Sequence, residues 1–123
     1  MTTNLTAETF DDTVEHGIVL VDWWASWCGP CRAFAPVYDR AAAKHPDITF
    51  AKVNTETEPA LAAGFGIQAI PTLMAFRDGI LVFAQPGALP PPALDKVIEK
   101  LRALDMDEVR RLATSADTTS AAG

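Results

Sequence analysis

The chain holds only two cysteines, Cys28 and Cys31, which form a C-x-x-C motif. The motif lies between an apolar run over residues 18–25 and a helical pattern that extends to about Lys44. A cysteine at such a junction lies at a helix N-terminus, where unpaired N–H groups and the helix dipole favour thiolate over thiol. Because the thiolate is the nucleophile in disulfide exchange, the motif predicts redox chemistry.

Two structural explanations of the motif compete with the redox interpretation. A structural disulfide that closes so short a loop would remove little entropy from the unfolded chain. A structural zinc site needs about four ligands, and only His16 and His45 could join the two thiols, neither of them with a second ligand beside it. We therefore favour the redox interpretation and expect no metal site.

The composition predicts one folded domain, because the chain has 123 residues of which 49% are hydrophobic. A formal net charge of −6 argues against binding to nucleic acid or to an anionic membrane. The first residues do not show the pattern of a signal peptide, and no apolar run approaches the ~20 residues that span a bilayer. We therefore expect a cytoplasmic protein, and in that reducing compartment a C-x-x-C motif is more often catalytic than structural.

Strand and helix patterns alternate along the chain and predict an α/β layer sandwich. After a short first strand, the predicted helices are Thr6–Val14 with Thr6 as N-cap, Cys31–Lys44, Glu58–Ala63 and Pro90–Leu104. The further predicted strands are Ile18–Ala25, Ile48–Asn54, Gln68–Phe76 and Ile80–Ala84. An Asp-Gly pair at residues 78–79 predicts a hairpin between the last two strands.

Two charged residues, Asp22 and Lys52, fall within predicted central strands. A buried carboxylate is costly without a partner, so Asp22 is either hydrogen-bonded for structural reasons or a proton acceptor close to Cys28. Lys52 either extends its ammonium group to solvent along an apolar surface or pairs with Asp22. The residues by themselves leave both alternatives open.

The segment from Val21 to Arg32, which contains W-C-G-P-C, resembles the active-site segment of the thioredoxin family. Further similar motifs follow in the same order: A-K-V-N at 51–54, I-P-T-L at 70–73, D-G at 78–79 and G-A-L at 87–89. The resemblance covers about residues 5–104. It implies a thioredoxin fold, in which helices flank both faces of a central five-stranded mixed sheet.

The resemblance also implies roles for individual residues. Cys28 would attack a substrate disulfide, the more buried Cys31 would resolve the mixed disulfide, and Asp22 would accept the proton of Cys31. Burial would raise the pKa of Asp22, and Lys52 would oppose that rise. Redox tuning is implied for Gly29, Pro30 and Lys52. A cis Ile70–Pro71 bond would place Pro71 against the sulfurs. The implied substrate groove consists of Trp27, Ile70, Pro71, Gly87 and Ala88.

The implied function is the reduction of protein disulfides by a monomer that binds no cofactor and is recharged by an NADPH-dependent thioredoxin reductase. The alternatives are a thioredoxin-fold binding subunit and a dedicated reductant of one partner. Pro86 departs from the family pattern, which more often has a β-branched residue before Gly87. We expect a thioredoxin domain over residues 1–104, a helical extension over 105–114 and an unstructured tail over 115–123.

Overall fold

A five-stranded sheet forms the centre of the computed structural model, which describes residues 1–113. The strands are β1 (Thr2–Asn4), β2 (Ile18–Trp24), β3 (Thr49–Asn54), β4 (Thr72–Arg77) and β5 (Ile80–Pro86). Their spatial order is β1-β3-β2-β4-β5. Strand β3 is parallel to β1 and β2, whereas β4 is antiparallel to β2 and β5. The predicted mixed five-stranded sheet is therefore confirmed, and β2 is its central strand.

The helices connect these strands and follow the last of them. They are α1 (Phe10–Val14), α2 (Gly29–Lys44), α3 (Pro59–Gly64) and α4 (Pro91–Ala103), with a further helix α5 over residues 106–113. Asp105 begins α5, because its Oδ1 accepts the backbone N–H groups of Asp107 and Glu108. The predicted tail over residues 115–123 lies outside the described residues. Within residues 1–113, no helix combines the length and the apolar character needed to cross a membrane.

Apolar side chains cover both faces of the sheet. Leu20 of β2 packs in a cluster that includes Phe34 and Tyr38 of α2 and Leu94 of α4. The neighbouring β2 residues 19, 21 and 23 pack on the opposite face, in a cluster that includes residues of α1 and α3. Because side chains alternate along a strand, Asp22 shares the face of Leu20. The predicted central strand is therefore buried on both faces, and its carboxylate lies under α2.

Most predicted element boundaries shift by one or two residues, and the starts of α1 and β4 are wrong by more. Helix α1 begins at Phe10, and its N-cap is Thr9 rather than the predicted Thr6. The carbonyl of Thr6 instead accepts the N–H groups of Thr9 and Phe10, which forms a turn before the helix. Strand β4 begins at Thr72 and not at Gln68, because the segment before it turns. The Thr72 hydroxyl closes that turn by donating to the carbonyl of Ala69 at 2.6 Å.

The β4–β5 hairpin turns at the predicted Asp-Gly pair. Asp78 has a φ of 52° and Gly79 a φ of 83°, a left-handed conformation that glycine adopts without steric cost. Strand β5 runs two residues further than predicted, to Pro86, and a proline is tolerated there because β5 is an edge strand. An irregularity in the pairing beside Ala75 and Phe76 leaves Val82 unpaired as a β-bulge.

Candidate active site

Cys28 is the N-cap of α2, and it forms a disulfide with Cys31. The two Cα atoms are 5.2 Å apart, and the backbone N–H of Cys31 points at Sγ of Cys28 from 3.2 Å. Gly29 and Pro30 form the first turn of α2, where the fixed φ of proline fits the helix. After reduction, this N–H and the helix N-terminus would stabilise a thiolate on Cys28.

Both cysteines are almost enclosed, with 4% of Cys28 and 3% of Cys31 exposed to solvent. They pack with Ala25 and with the partly buried side chains of Trp24 and Ile70. Sγ of Cys28 lies 3.7 Å from the carbonyl oxygen of Ile70. Cys31 was expected to be the more buried of the two, but the observed difference is small because one cluster encloses both side chains. A second disulfide can reach these sulfurs only if its protein packs closely against this surface.

The structure brings part of the predicted groove together beside the cysteines. The Ile70–Pro71 peptide bond is cis, as the resemblance implies, and Pro71 is buried. The N–H of Gly87 donates to the carbonyl of Pro71 at 2.7 Å, which holds the end of β5 against this segment. Ala88 is exposed directly after Gly87, and Trp27 is 66% exposed directly before Cys28.

The carboxylate of Asp22 is fully buried, and neither of its oxygens has a hydrogen-bond partner among the described residues. No protein group among the described residues therefore fixes Asp22 by a hydrogen bond to its carboxylate. Burial raises the pKa of Asp22 from 3.8 to about 7, since it disfavours the charged form. The positive charge of Lys52 opposes this rise, and the negative charge of Asp39 adds to it.

Lys52 lies directly opposite Asp22 in the pairing of β2 with β3. Its Nζ is 4.9 Å from the centre of the Trp24 ring, in a cation–π contact. Within residues 1–113 the ion pairs do not include Lys52. Lys52 is half-buried and forms no ion pair with Asp22 among the described residues, although its charge acts on that carboxylate.

Trp24 and Tyr38 also shape this site, and the sequence prediction did not include them. Trp24 contacts the cysteine cluster and the ammonium of Lys52. Its place two residues after Asp22, on the same face of β2, was a signal that could have identified it. The buried Tyr38 hydroxyl donates to the carbonyl of Ala51 at 2.7 Å, and burial raises the pKa of Tyr38 well above its usual value. The sequence gives no signal that separates Tyr38 from an ordinary core position.

The geometry defines a chain whose reactive group is a dithiol that closes reversibly to a disulfide. It lies at a helix N-terminus, on an element that covers a buried carboxylate of raised pKa. Across residues 1–113, no three His, Cys, Asp or Glu side chains are grouped so that they could hold a metal ion. The chemistry available at this site is therefore thiol–disulfide exchange.

Comparison with known proteins identifies the family. The family model described as Thioredoxin matches residues 1–100. A Streptomyces coelicolor protein named as a thioredoxin 2 is 58% identical over 111 residues, which cover 89% of this chain and 83% of that protein. Thioredoxin 1 of Synechococcus elongatus is 46% identical over 99 residues, covering 78% of this chain and 92% of that protein.

A solved structure shows the same fold. The crystal structure of oxidised mitochondrial thioredoxin 3 from Saccharomyces cerevisiae superposes with a TM-score of 0.74 at 31% identity, over 80% of this chain and 94% of that one. The chain belongs to the thioredoxin family. It has the thioredoxin fold, and it is a thiol–disulfide oxidoreductase that acts on protein disulfides through Cys28 and Cys31.

Proposed function

We propose that the chain works as a reductant of disulfides in other proteins. The observation that supports disulfide exchange most strongly is the position of the Cys28–Cys31 pair, because the N–H of Cys31 already points at Sγ of Cys28. Backbone donors in that position favour the thiolate that must attack a substrate. Because a stabilised thiolate also favours the dithiol form of the chain itself, the proposed direction of electron flow rests on the thioredoxin names of its relatives.

The proposed reaction has two exchange steps. The thiolate of Cys28 attacks one sulfur of the substrate disulfide, which forms a mixed disulfide and releases the other substrate sulfur as a thiolate. Cys31 then loses its proton and attacks Sγ of Cys28, which releases the second substrate sulfur. The substrate disulfide gains two electrons and two protons, and the two cysteines of the chain lose them as their own disulfide forms.

Asp22 is the proposed acceptor of the Cys31 proton. A group with a pKa of about 7 can both take up and release a proton near neutral pH. In this proposal Lys52 keeps that pKa from rising further, since its charge favours the ionised carboxylate. Gly29 and Pro30 tune the redox potential by setting the geometry of the first turn of α2.

The proposed substrate surface surrounds the cysteine cluster. Pro71 and the backbone of Ile70 form its floor beside Cys28, and Gly87 is held there by its hydrogen bond to Pro71. The exposed Trp27 and Ala88 offer apolar area to an incoming protein. A substrate segment that packs across these residues would bring its disulfide to Sγ of Cys28.

We further propose that an NADPH-dependent thioredoxin reductase returns the chain to its dithiol form, and that the chain acts as a cytoplasmic monomer without a bound cofactor. The thioredoxin domain over residues 1–104 would contain the whole redox site. The helical extension over 105–114, of which residues 106–113 form α5, would lie outside it.

Reduction of insulin disulfides, coupled to NADPH and a thioredoxin reductase, tests the proposed direction of electron flow. We expect rapid turnover that Cys28→Ser abolishes, whereas Cys31→Ser traps a mixed disulfide that non-reducing electrophoresis detects. Asp95→Asn is the matched carboxylate control, because Asp95 is exposed on α4 and is not among the charges that shift the pKa of Asp22. It should leave turnover within about twofold, whereas Asp22→Asn should slow the second step at neutral pH.

Insulin reduction and an assay of the biological activity together separate the alternatives. If the wild-type disulfide is readily reduced but insulin is not, the chain is a dedicated reductant of one partner. If a biological activity of the chain survives in the Cys28→Ser/Cys31→Ser double variant, that activity belongs to a binding subunit. Either result would contradict a general reductase.

A further inference from the structure

We propose that a groove between β5 and α4 binds a single-chain fatty acid, with its carboxylate at Lys96 and Lys100. The groove has a volume of about 380 Å³, within the roughly 300–1,000 Å³ that is typical of sites for small organic molecules. It is separate from the disulfide, because neither cysteine lines it.

The walls of the groove are apolar side chains that the core does not fully cover. Val82 and Phe83 of β5 and Val97 of α4 line it, and all three are half-buried against the main core cluster. Leu104 also lines the groove and is half-buried against the same cluster. From Ala93 to Leu104 the groove follows α4 for about 16 Å, at 1.5 Å per residue. This length suits a flexible acyl chain of medium length.

The charges at the groove are positive, although the whole chain has a formal net charge of −6. Lys96 and Lys100 line the groove one helical turn apart, and like charges at that spacing slightly destabilise a helix. No ion pair compensates either lysine within residues 1–113. The acidic neighbours Asp95 and Glu99 do not line the groove. A carboxylate between the two lysines would supply the missing negative charge.

The edge of β5 is poorly suited to a peptide that adds a strand. The bulge at Val82 interrupts the regular spacing of backbone groups, and Pro86 offers no N–H. Both features are typical of edges protected against strand pairing. A fatty acid needs no backbone hydrogen bonds, so neither feature hinders it. A second copy of the chain is disfavoured for a different reason, because two partners of net charge −6 repel each other.

Titration of the ¹⁵N-labelled oxidised chain with dodecanoate, below its micelle concentration, tests the proposal. We expect chemical-shift changes confined to β5, α4 and the loop between them. Decanoate, which lacks two methylene groups, should bind about tenfold more weakly. Dodecanol, which has no charge, should also bind more weakly. The double variant Lys96→Gln/Lys100→Gln should lose about tenfold in affinity for dodecanoate. The control Lys44→Gln also removes a lysine charge, but outside the groove, and should bind dodecanoate as the wild type does.

Several outcomes would overturn the proposal. Equal affinity for dodecanoate and dodecanol, or normal binding by the double variant, would rule out the role of the lysines. Shift changes centred on Trp27 and Pro71 would place the ligand at the disulfide site instead. Recruitment to anionic phospholipid vesicles without binding of free dodecanoate would indicate a membrane surface. A dimer in sedimentation experiments whose formation shifts the NMR signals of β5 would assign the groove to a second copy of the chain. Tighter binding of dodecanoate after deletion of residues 114–123 would show that those residues compete for the groove.

Discussion

Replacing Asp22 with asparagine should stabilise the oxidised protein at neutral and alkaline pH and have little effect at acid pH. Asparagine has nearly the shape of a protonated aspartic acid but cannot ionise. The carboxylate is fully buried, and no described residue gives either oxygen a hydrogen bond. Ionisation therefore places a charge in a site that solvates it poorly, and only the wild type bears this cost.

The size of the effect follows from the pKa of Asp22, which burial raises from 3.8 to about 7. Since the folded state holds this proton more tightly than the unfolded state, the wild type loses stability as pH rises from about 4 to about 7. Below that window the penalty is absent, and above it the penalty is complete. At 1.36 kcal/mol per pH unit the full penalty is at most about 4 kcal/mol.

Urea denaturation from pH 3.5 to 8.5 measures this difference, with the cysteines held as the disulfide so that they do not titrate. The gain in unfolding free energy of Asp22→Asn over the wild type should grow by up to about 4 kcal/mol across the range. Asp95→Asn, an exposed carboxylate on α4, is the control and should stay within about 0.5 kcal/mol of the wild type throughout. A constant difference between Asp22→Asn and wild type would refute the assignment of the raised pKa to Asp22.

Three further changes test the surroundings of the site and the attachment of α4. Lys52→Met should raise the pKa of Asp22 further, because the lysine charge lowers it; an unchanged NMR titration of the carboxyl carbon would contradict this. Arg77→Met removes a guanidinium group that donates to carbonyls at the end of α4. It should lower the free energy of unfolding, measured by urea denaturation, by about 1–3 kcal/mol. The control Arg110→Met, at an exposed position of α5, should lower it by under about 0.5 kcal/mol. Tyr38→Phe should cost about 1 kcal/mol through its lost buried hydrogen bond, and equal midpoints for variant and wild type would show that the bond contributes nothing.

Interactions between residues close together in the sequence determined the reactive cysteine pair and much of the fold. The C-x-x-C spacing, the apolar run of β2 and the helical pattern of α2 are all features of neighbouring residues. The Asp-Gly turn is local in the same way, since it depends on backbone conformations that few residues adopt. These signals are readable from sequence because each depends on residues only a few positions apart.

Tertiary structure decided how distant residues meet at the site. Strand pairing places Asp22 opposite Lys52, and the ammonium group of the lysine lies over the ring of Trp24. The approach of Gly87 to Pro71, and the groove between β5 and α4, likewise depend on strand order and helix packing. Periodicity tells which face of an element a residue occupies. Which residues lie opposite that face is decided by long-range packing, because many arrangements satisfy the same local pattern.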